Sequence, residues 1–205
     1  MTSFDELTAP YRQVVELADA FFERTQARHP GQMRCGDGCS LCCQQELEVL
    51  LVEAIVLLAA LQREPASRRA NLGGEHGCAL LVDDRCALYA ARPLICRTHG
   101  LPIRQGSPTD LARQRAPAAA STASISCCEL NFLAGFPADA VLDGTRLHGA
   151  LVIADAMVRR ALGVDAPHRV SIRALVERGV DALDALDVLY PGLRRRLTTL
   201  QAGIL

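Results

Sequence analysis

Cys35-Gly36-Asp37-Gly38-Cys39-Ser40-Leu41-Cys42-Cys43 is the stretch on which the reading of this chain turns. Four cysteines fall within nine positions, spaced C-x3-C-x2-C-C, with two glycines between the first pair. Gly36 and Gly38 leave the backbone free to fold around a bound ion and to aim N–H groups at thiolate sulfur. If Cys39 opens the following helix, Cys42 and Cys43 fall one turn later on its face, where a helix N-terminus favours thiolates. The alternative is four buried thiols packed as small hydrophobes. Buried cysteine has no reason to cluster around glycine spacers, so the pattern points to metal chelation.

Outward from this stretch the chain reads as helical. Upstream, Tyr11, Val14, Val15, Ala18, Phe21 and Phe22 recur at helical spacing. Thr8 or Ala9 would cap that helix, Pro10 would sit in its first turn, and His29-Pro30-Gly31 would end it. Downstream, about Gln44 to Arg63 reads as a helix apolar on nearly every side, hence central to the core, and Pro65 stops it. Residues 64–77 read as a surface connection. Cys78-Ala-Leu-Leu-Val-Asp-Asp-Arg-Cys86 suits a small hairpin with a tight Asp-Asp turn, bringing Cys78 and Cys86 together. Ala87–Arg92 forms a helical turn or two before Pro93, and residues 100–126 read as a long loop. Gly144–Leu162 shows a helical apolar face ending at a Gly163 cap. Ser171 caps a short helix to Arg178, and Asp181–Leu189 and Leu193–Gln201 are two more. The fold class predicted is mainly α: a single helical domain over 1–205 with cysteine-bearing loops around a metal centre. Residues 35–97 form its metal-binding core and 128–205 its helical C-terminal part.

Composition narrows the chemistry. The chain has 205 residues, 50% of them hydrophobic, and its 22 basic and 23 acidic residues leave a net charge of −1. That balance gives no electrostatic footprint for nucleic acid or an anionic membrane. All 22 basic residues are arginine, which excludes a pyridoxal-phosphate Schiff base, a Walker A lysine and a lysine nucleophile. Nine cysteines form an odd count, unlike a short secreted disulfide scaffold. The N-terminus Met-Thr-Ser-Phe-Asp-Glu lacks the regions of a signal peptide. The apolar run Leu47–Leu61 is short and holds Glu48 and Glu53, so it does not read as a membrane span. The expectation is a cytoplasmic protein with metal or redox chemistry.

A second pattern, Cys86-Ala-Leu-Tyr-Ala-Ala-Arg92-Pro93-Leu-Ile-Cys96-Arg97, extends the first. With Cys35, Cys39, Cys42, Cys43, Glu53, Cys78, Leu81 and Tyr89, it makes residues 35–97 resemble the YkgJ-type cysteine-cluster family of zinc- or iron-chelating domains. Residues 100–205 carry no part of that pattern. The resemblance implies metal chelation by Cys35, Cys39, Cys42, Cys43, Cys78, Cys86 and Cys96, with iron, an iron–sulfur cluster or zinc as the metal. By analogy with a related methylase of flagellin lysines, it also implies redox or S-adenosylmethionine-dependent activity. Radical S-adenosylmethionine enzymes share the C-x3-C-x2-C spacing, and Gly73-Gly74-Glu75 mimics their downstream motif. Their β/α alternation is missing here.

The residue chemistry leaves several assignments open. A tetrahedral site takes four ligands, and adjacent Cys42 and Cys43 point apart, so they serve two metals, or one is a ligand and the other a core residue. His76, His99, Cys127 and Cys128 are further candidates to complete a coordination sphere. For the histidines the alternative is exposure in a loop, and for the Cys127–Cys128 pair it is packing under Leu130 and Phe132. Arg92 and Arg97 either offset the negative charge of a thiolate centre or form a surface pair. Glu53, inside an apolar helix, either pairs with an arginine or faces the metal. His148 and Asp155, seven apart on one helix face, would suit a polar ridge as well as a site, and Arg194-Arg195-Arg196 a solvated helix face. The first functional reading is a metal-binding protein. The second is a non-catalytic zinc-stabilised module whose helical C-terminal half binds a protein partner.

Overall fold

Helices predominate in the computed structural model, which describes residues 3–36, 38–106, 124–164, 168–178 and 182–199. The first helix, α1 (Phe4–Arg28), begins well before the expected start at Pro10. Its cap is Ser3, whose hydroxyl accepts from the Glu6 amide at 3.2 Å while Glu6 accepts from the Ser3 amide at 2.7 Å. This reciprocal pair satisfies two helix-end donors. The hydrogen bonds from Ser3 hold the Glu6 carboxyl below its ordinary range. Thr8 does not cap; its hydroxyl turns back onto the Phe4 carbonyl at 2.9 Å. Pro10 lies inside the helix, which continues through it with Leu7, Tyr11, Val14 and Ala18 buried at helical spacing.

The apolar helix expected from Gln44 begins later, as α2 (Leu51–Arg63). Before it, Leu41–Gln44 forms a single 3₁₀ turn, and the chain then runs extended into β1 (Glu48–Val49). The reason is a remote partner: Glu48 and Val49 pair antiparallel with Ser171 and Val170, so the backbone there is claimed by a ladder. Cys42 and Cys43 therefore sit on an isolated turn and not on the first turns of a long helix. Nine of the thirteen residues of α2 are buried, which fits its all-round apolar character.

A helix N-terminus placed in an apolar core needs acceptors for its amides. The Glu53 carboxylate, only 4% exposed, accepts from the Leu50 amide at 3.1 Å. Asp155, 2% exposed, accepts from the Val52 amide at 3.1 Å and from the Arg159 guanidinium at 2.8 Å. Glu53 is thus committed to a backbone amide, and Asp155 is a buried cap, not part of an exposed polar ridge.

Among the described residues the remaining α-helices are α3 (Ala66–Arg69), α4 (Leu94–Thr98), α5 (Gly144–Ala161), α6 (Ile172–Arg178), α7 (Ala182–Leu189) and α8 (Leu193–Thr199). Ser171 caps α6 as expected, its hydroxyl accepting from the Ala174 amide at 3.3 Å. Arg196 is not merely solvated: its guanidinium bonds the carbonyls of Leu162 and Gly163, where α5 ends.

The chain divides into two units. One comprises residues 1–13, 37–93 and 152–205, and its core is built on α2 with Leu186, Tyr190, Leu193 and Leu197 also buried. The other comprises residues 14–36 and 94–151. There Ile103–Gln105 pairs antiparallel with Ser124–Ser126 and parallel with Leu142–Asp143. Met33, Leu101, Phe132, Ala140 and Leu142 form its buried cluster. The two ends of the expected long loop 100–126 are therefore paired strands; its interior, 107–123, lies outside the described residues.

Asp155→Ala strands the Val52 amide and the Arg159 charge in the core and should cost about 3 kcal/mol. Asp155→Asn keeps an acceptor and should cost about half as much. Urea unfolding with an unchanged denaturant slope checks both.

Candidate metal centre

Five of the predicted ligands, Cys39, Cys42, Cys43, Cys78 and Cys86, lie in the first unit. The 3₁₀ turn carrying Cys42 and Cys43 closes through a bond from the Cys43 amide to the Ser40 carbonyl at 2.8 Å. The Cys43 carbonyl in turn accepts from the Cys78 amide at 2.7 Å. Gly77 makes this approach possible: its φ is +74°, and a Cβ there would come within 2.6 Å of the Cys43 oxygen. Only a glycine meets both demands at little cost.

The hairpin read from the sequence forms, with Leu81 opposite Cys86 and Val82 opposite Arg85. Asp83 and Asp84 adopt φ of 49° and 58°, the left-handed pair that matches the twist of a two-residue hairpin. Ser40 donates to the Asp84 carboxylate at 2.8 Å, tying the first cysteine motif to that turn. The amide of Leu81 donates to the Cys78 carbonyl at 2.9 Å, so Cys78 leads directly into the hairpin that carries Cys86.

Cys42, Cys78 and Cys86 share one electrostatic neighbourhood. Burial pushes both the Cys78 and the Cys86 thiols up, and the charge of Cys42 adds to the rise at each. Arg173 opposes the rise at Cys78, and Arg92 opposes it at Cys86. Arg92 also stacks over the Tyr89 ring, 3.4 Å from its centroid. Arg173 donates to the carbonyls of Gly74 at 3.0 Å and Gly77 at 2.8 Å while paired with Glu46. It thereby holds the strand of backbone that presents Cys78 and places a fixed positive charge beside it.

Cys35 and Cys96 lie in the second unit with Cys127 and Cys128. The Cys35 sulfur accepts a hydrogen bond from Nδ2 of Asn131 at 3.1 Å and packs against Gly100, where any Cβ would overlap it. Cys127, whose thiol is pushed up by burial, donates to the Gly100 carbonyl at 3.7 Å. It also packs against the Phe132 cluster. Cys128 is buried, and its carbonyl accepts from the Asn131 amide at 3.0 Å. Cys96 sits half-buried on α4. Arg97 is not an exposed surface residue: it is buried and bonds Asp19 at 2.5 Å.

None of the nine cysteines forms a disulfide. Among the described residues, no three His, Cys, Asp or Glu side chains form a group that could hold a metal ion as placed. His76 is exposed and His99 half-buried. Sequence reasoning missed Asn131, Gly100, Gly77 and Arg173. Of these, only Gly77, adjacent to a motif cysteine, offered a local signal.

Residues 34–115 match the family model "CxxCxxCC: Putative zinc- or iron-chelating domain". That stretch is similar to this family, and the match supports metal binding by it. It contains all seven cysteines predicted as ligands, whereas Asn131 and Arg173 lie beyond it. No curated protein and no solved structure matches the chain. Among the described residues, no helix is long and apolar enough to cross a membrane.

Gly77→Ala adds a methyl group at positive φ and against the Cys43 carbonyl. It should cost about 2–4 kcal/mol from backbone strain and overpacking together. Gly74→Ala, with nothing within 4 Å of its added Cβ, should be close to neutral. Parallel urea titrations of the two metal-free variants separate these outcomes.

Proposed function

We propose that this protein holds an iron centre, with an iron–sulfur cluster as the leading form, through thiolates of the first unit drawn from Cys39, Cys42, Cys43, Cys78 and Cys86. The observation that carries the reading is the convergence of backbone in the first unit: the Cys78 amide bonds the Cys43 carbonyl, and Cys78 leads into the hairpin that carries Cys86. Burial makes the Cys78 and Cys86 thiols costly to ionise, and a bound cation replaces the proton with a charge that stabilises the thiolate. An all-sulfur donor set suits iron–sulfur clusters and zinc above magnesium or calcium. Four thiolates around either centre leave about two net negative charges, which Arg92 and Arg173 are placed to offset. When bound, an iron–sulfur centre supplies electron transfer or, with an open iron, activation of S-adenosylmethionine; the chain's own contribution is to present sulfur and balance charge.

Zinc is the second reading. It is favoured by the way the Cys43–Cys78 bond and Gly77 splice irregular backbone, the setting in which a structural zinc replaces missing core. In that case the protein is a non-catalytic module for a protein partner.

Elemental analysis of protein purified anaerobically decides. Iron with acid-labile sulfide and broad visible absorbance is expected; stoichiometric zinc in colourless protein moves the assignment to the second reading. Absence of both metals from folded protein overturns the proposal. Cys78→Ser and Cys86→Ser should each weaken metal affinity by at least about a hundredfold, beyond the 10–100-fold typical of residues outside the coordination sphere. Because thiols pushed up by burial hold their protons, affinity should rise with pH through the neutral range. The expected slope is about tenfold per unit for each proton displaced, measured by competition with a chelator.

A further inference from the structure

We infer that Arg173, beyond the matched family domain, is a positioning residue for the cysteine site: it latches the backbone that leads into Cys78 and so sets how readily that sulfur is reached from solvent. The bearing of this latch on metal exchange rests on Cys78 being a ligand, as proposed above; the latch itself does not.

Residues 73–79 belong to no helix or strand. They form a short loop closed at its base, where the Gly73 amide donates to the Ala79 carbonyl at 2.9 Å. Within the loop, the carbonyls of Gly74 and Gly77 accept from Arg173 at 3.0 and 2.8 Å. A loop without a ladder of its own leaves such carbonyls in want of donors. One guanidinium supplies both, because its planar fork can hold several acceptors at once. Cys78 is the next residue after this fastening and is 8% exposed.

The same stretch of chain grips the other cysteine motif. Glu46 accepts from Arg173, the Ile172 amide donates to the Leu47 carbonyl at 3.0 Å, and Ser171 and Val170 pair with Glu48 and Val49. Residues 46–49 follow closely on the turn that carries Cys42 and Cys43, and the Cys43 carbonyl is the one that receives the Cys78 amide. Residues 170–173 therefore fix both the exit from the first motif and the approach to Cys78. The fastenings are unequal. Val170 and Ile172 are buried, whereas Glu46 and Glu177, the two carboxylates paired with Arg173, are exposed. Exposed ion pairs contribute little, and loops with few buried contacts open at a lower free energy than the core. Opening at the loop, with the ladder intact, is the route by which Cys78 loses its cover.

The rate at which iodoacetamide alkylates each thiol in the metal-free full chain, read by mass spectrometry, tests the latch. Arg173→Gln should speed labelling of Cys78 by about 10–100-fold, the effect on an opening equilibrium of losing two charge-assisted hydrogen bonds. Labelling of Cys127, in the other unit, should change by less than about twofold. Arg169→Gln removes the same charge from the same stretch, at a side chain bonded instead to the Glu48 carbonyl at 3.5 Å. It should leave Cys78 labelling within about twofold of wild type. Were charge the whole contribution of Arg173, its loss would slow Cys78 labelling, since the thiolate is the reacting form. Slower or unchanged labelling of Cys78 overturns the inference. So does an equal rise at Cys127, the mark of general loosening, or an equal rise in Arg169→Gln. If Arg173→Gln does not fold, Glu46→Gln, which loosens the guanidinium at one end, is read by the same criteria. In zinc-loaded protein, Arg173→Gln should speed transfer of zinc to excess chelator by a similar factor, and unchanged transfer overturns the bearing on exchange. Wild-type protein that takes up no metal defeats the metal reading alone; normal uptake with Cys78 labelling unmoved by Arg173→Gln defeats this inference alone.

Discussion

The bond from the Cys78 amide to the Cys43 carbonyl is the constraint on which the cysteine-bearing part of the first unit depends. Cysteines 39 to 43 and 78 to 86 ride on short turns, a two-residue hairpin and irregular connections, none of which pairs its own backbone groups extensively. Buried amides and carbonyls must still find partners. Here they find one another, and Arg173 takes up the carbonyls of Gly74 and Gly77. The positions of the sulfur atoms therefore follow from contacts that involve no sulfur at all.

The carboxylates inside the apolar core obey the same demand. Glu53 and Asp155 both stand among aliphatic side chains, and each accepts from an amide at the start of α2. An acidic residue in a helix beside a cysteine cluster invites assignment as a metal ligand. Its position is explained here by the need to neutralise a buried helix end, where a negative charge also meets the favourable end of the helix dipole.

Legibility divided along the range of the interactions. The Cys78–Cys86 hairpin was readable because a two-residue Asp-Asp turn between short apolar runs is a local signal. The helix Gly144–Ala161 was readable from its spacing and terminal glycine. The start of α1 was also locally encoded, in Ser3-Phe4-Asp5-Glu6, but a proline six positions inside the helix suggested a later beginning. Leu47–Leu61 is continuously apolar, so nothing within it separates a strand from a helix; the separation comes from Val170 and Ser171, far along the chain. The ligand candidates were legible as residue types in a spacing. Which of them share a neighbourhood was not, and neither was Asn131, whose partners at 34, 35 and 100 leave no mark on the residues beside it.

The grip of Arg173 on Gly74, Gly77 and Glu46 has one more consequence. A guanidinium keeps its charge at every pH a protein survives. With no lysine anywhere in the chain, the positive charge of this clamp is arginine's alone and is the same in mild acid and mild alkali. Arg173 therefore presents an unvarying cation beside Cys78 across that span, whatever hydrogen ions leave sulfur when a metal binds.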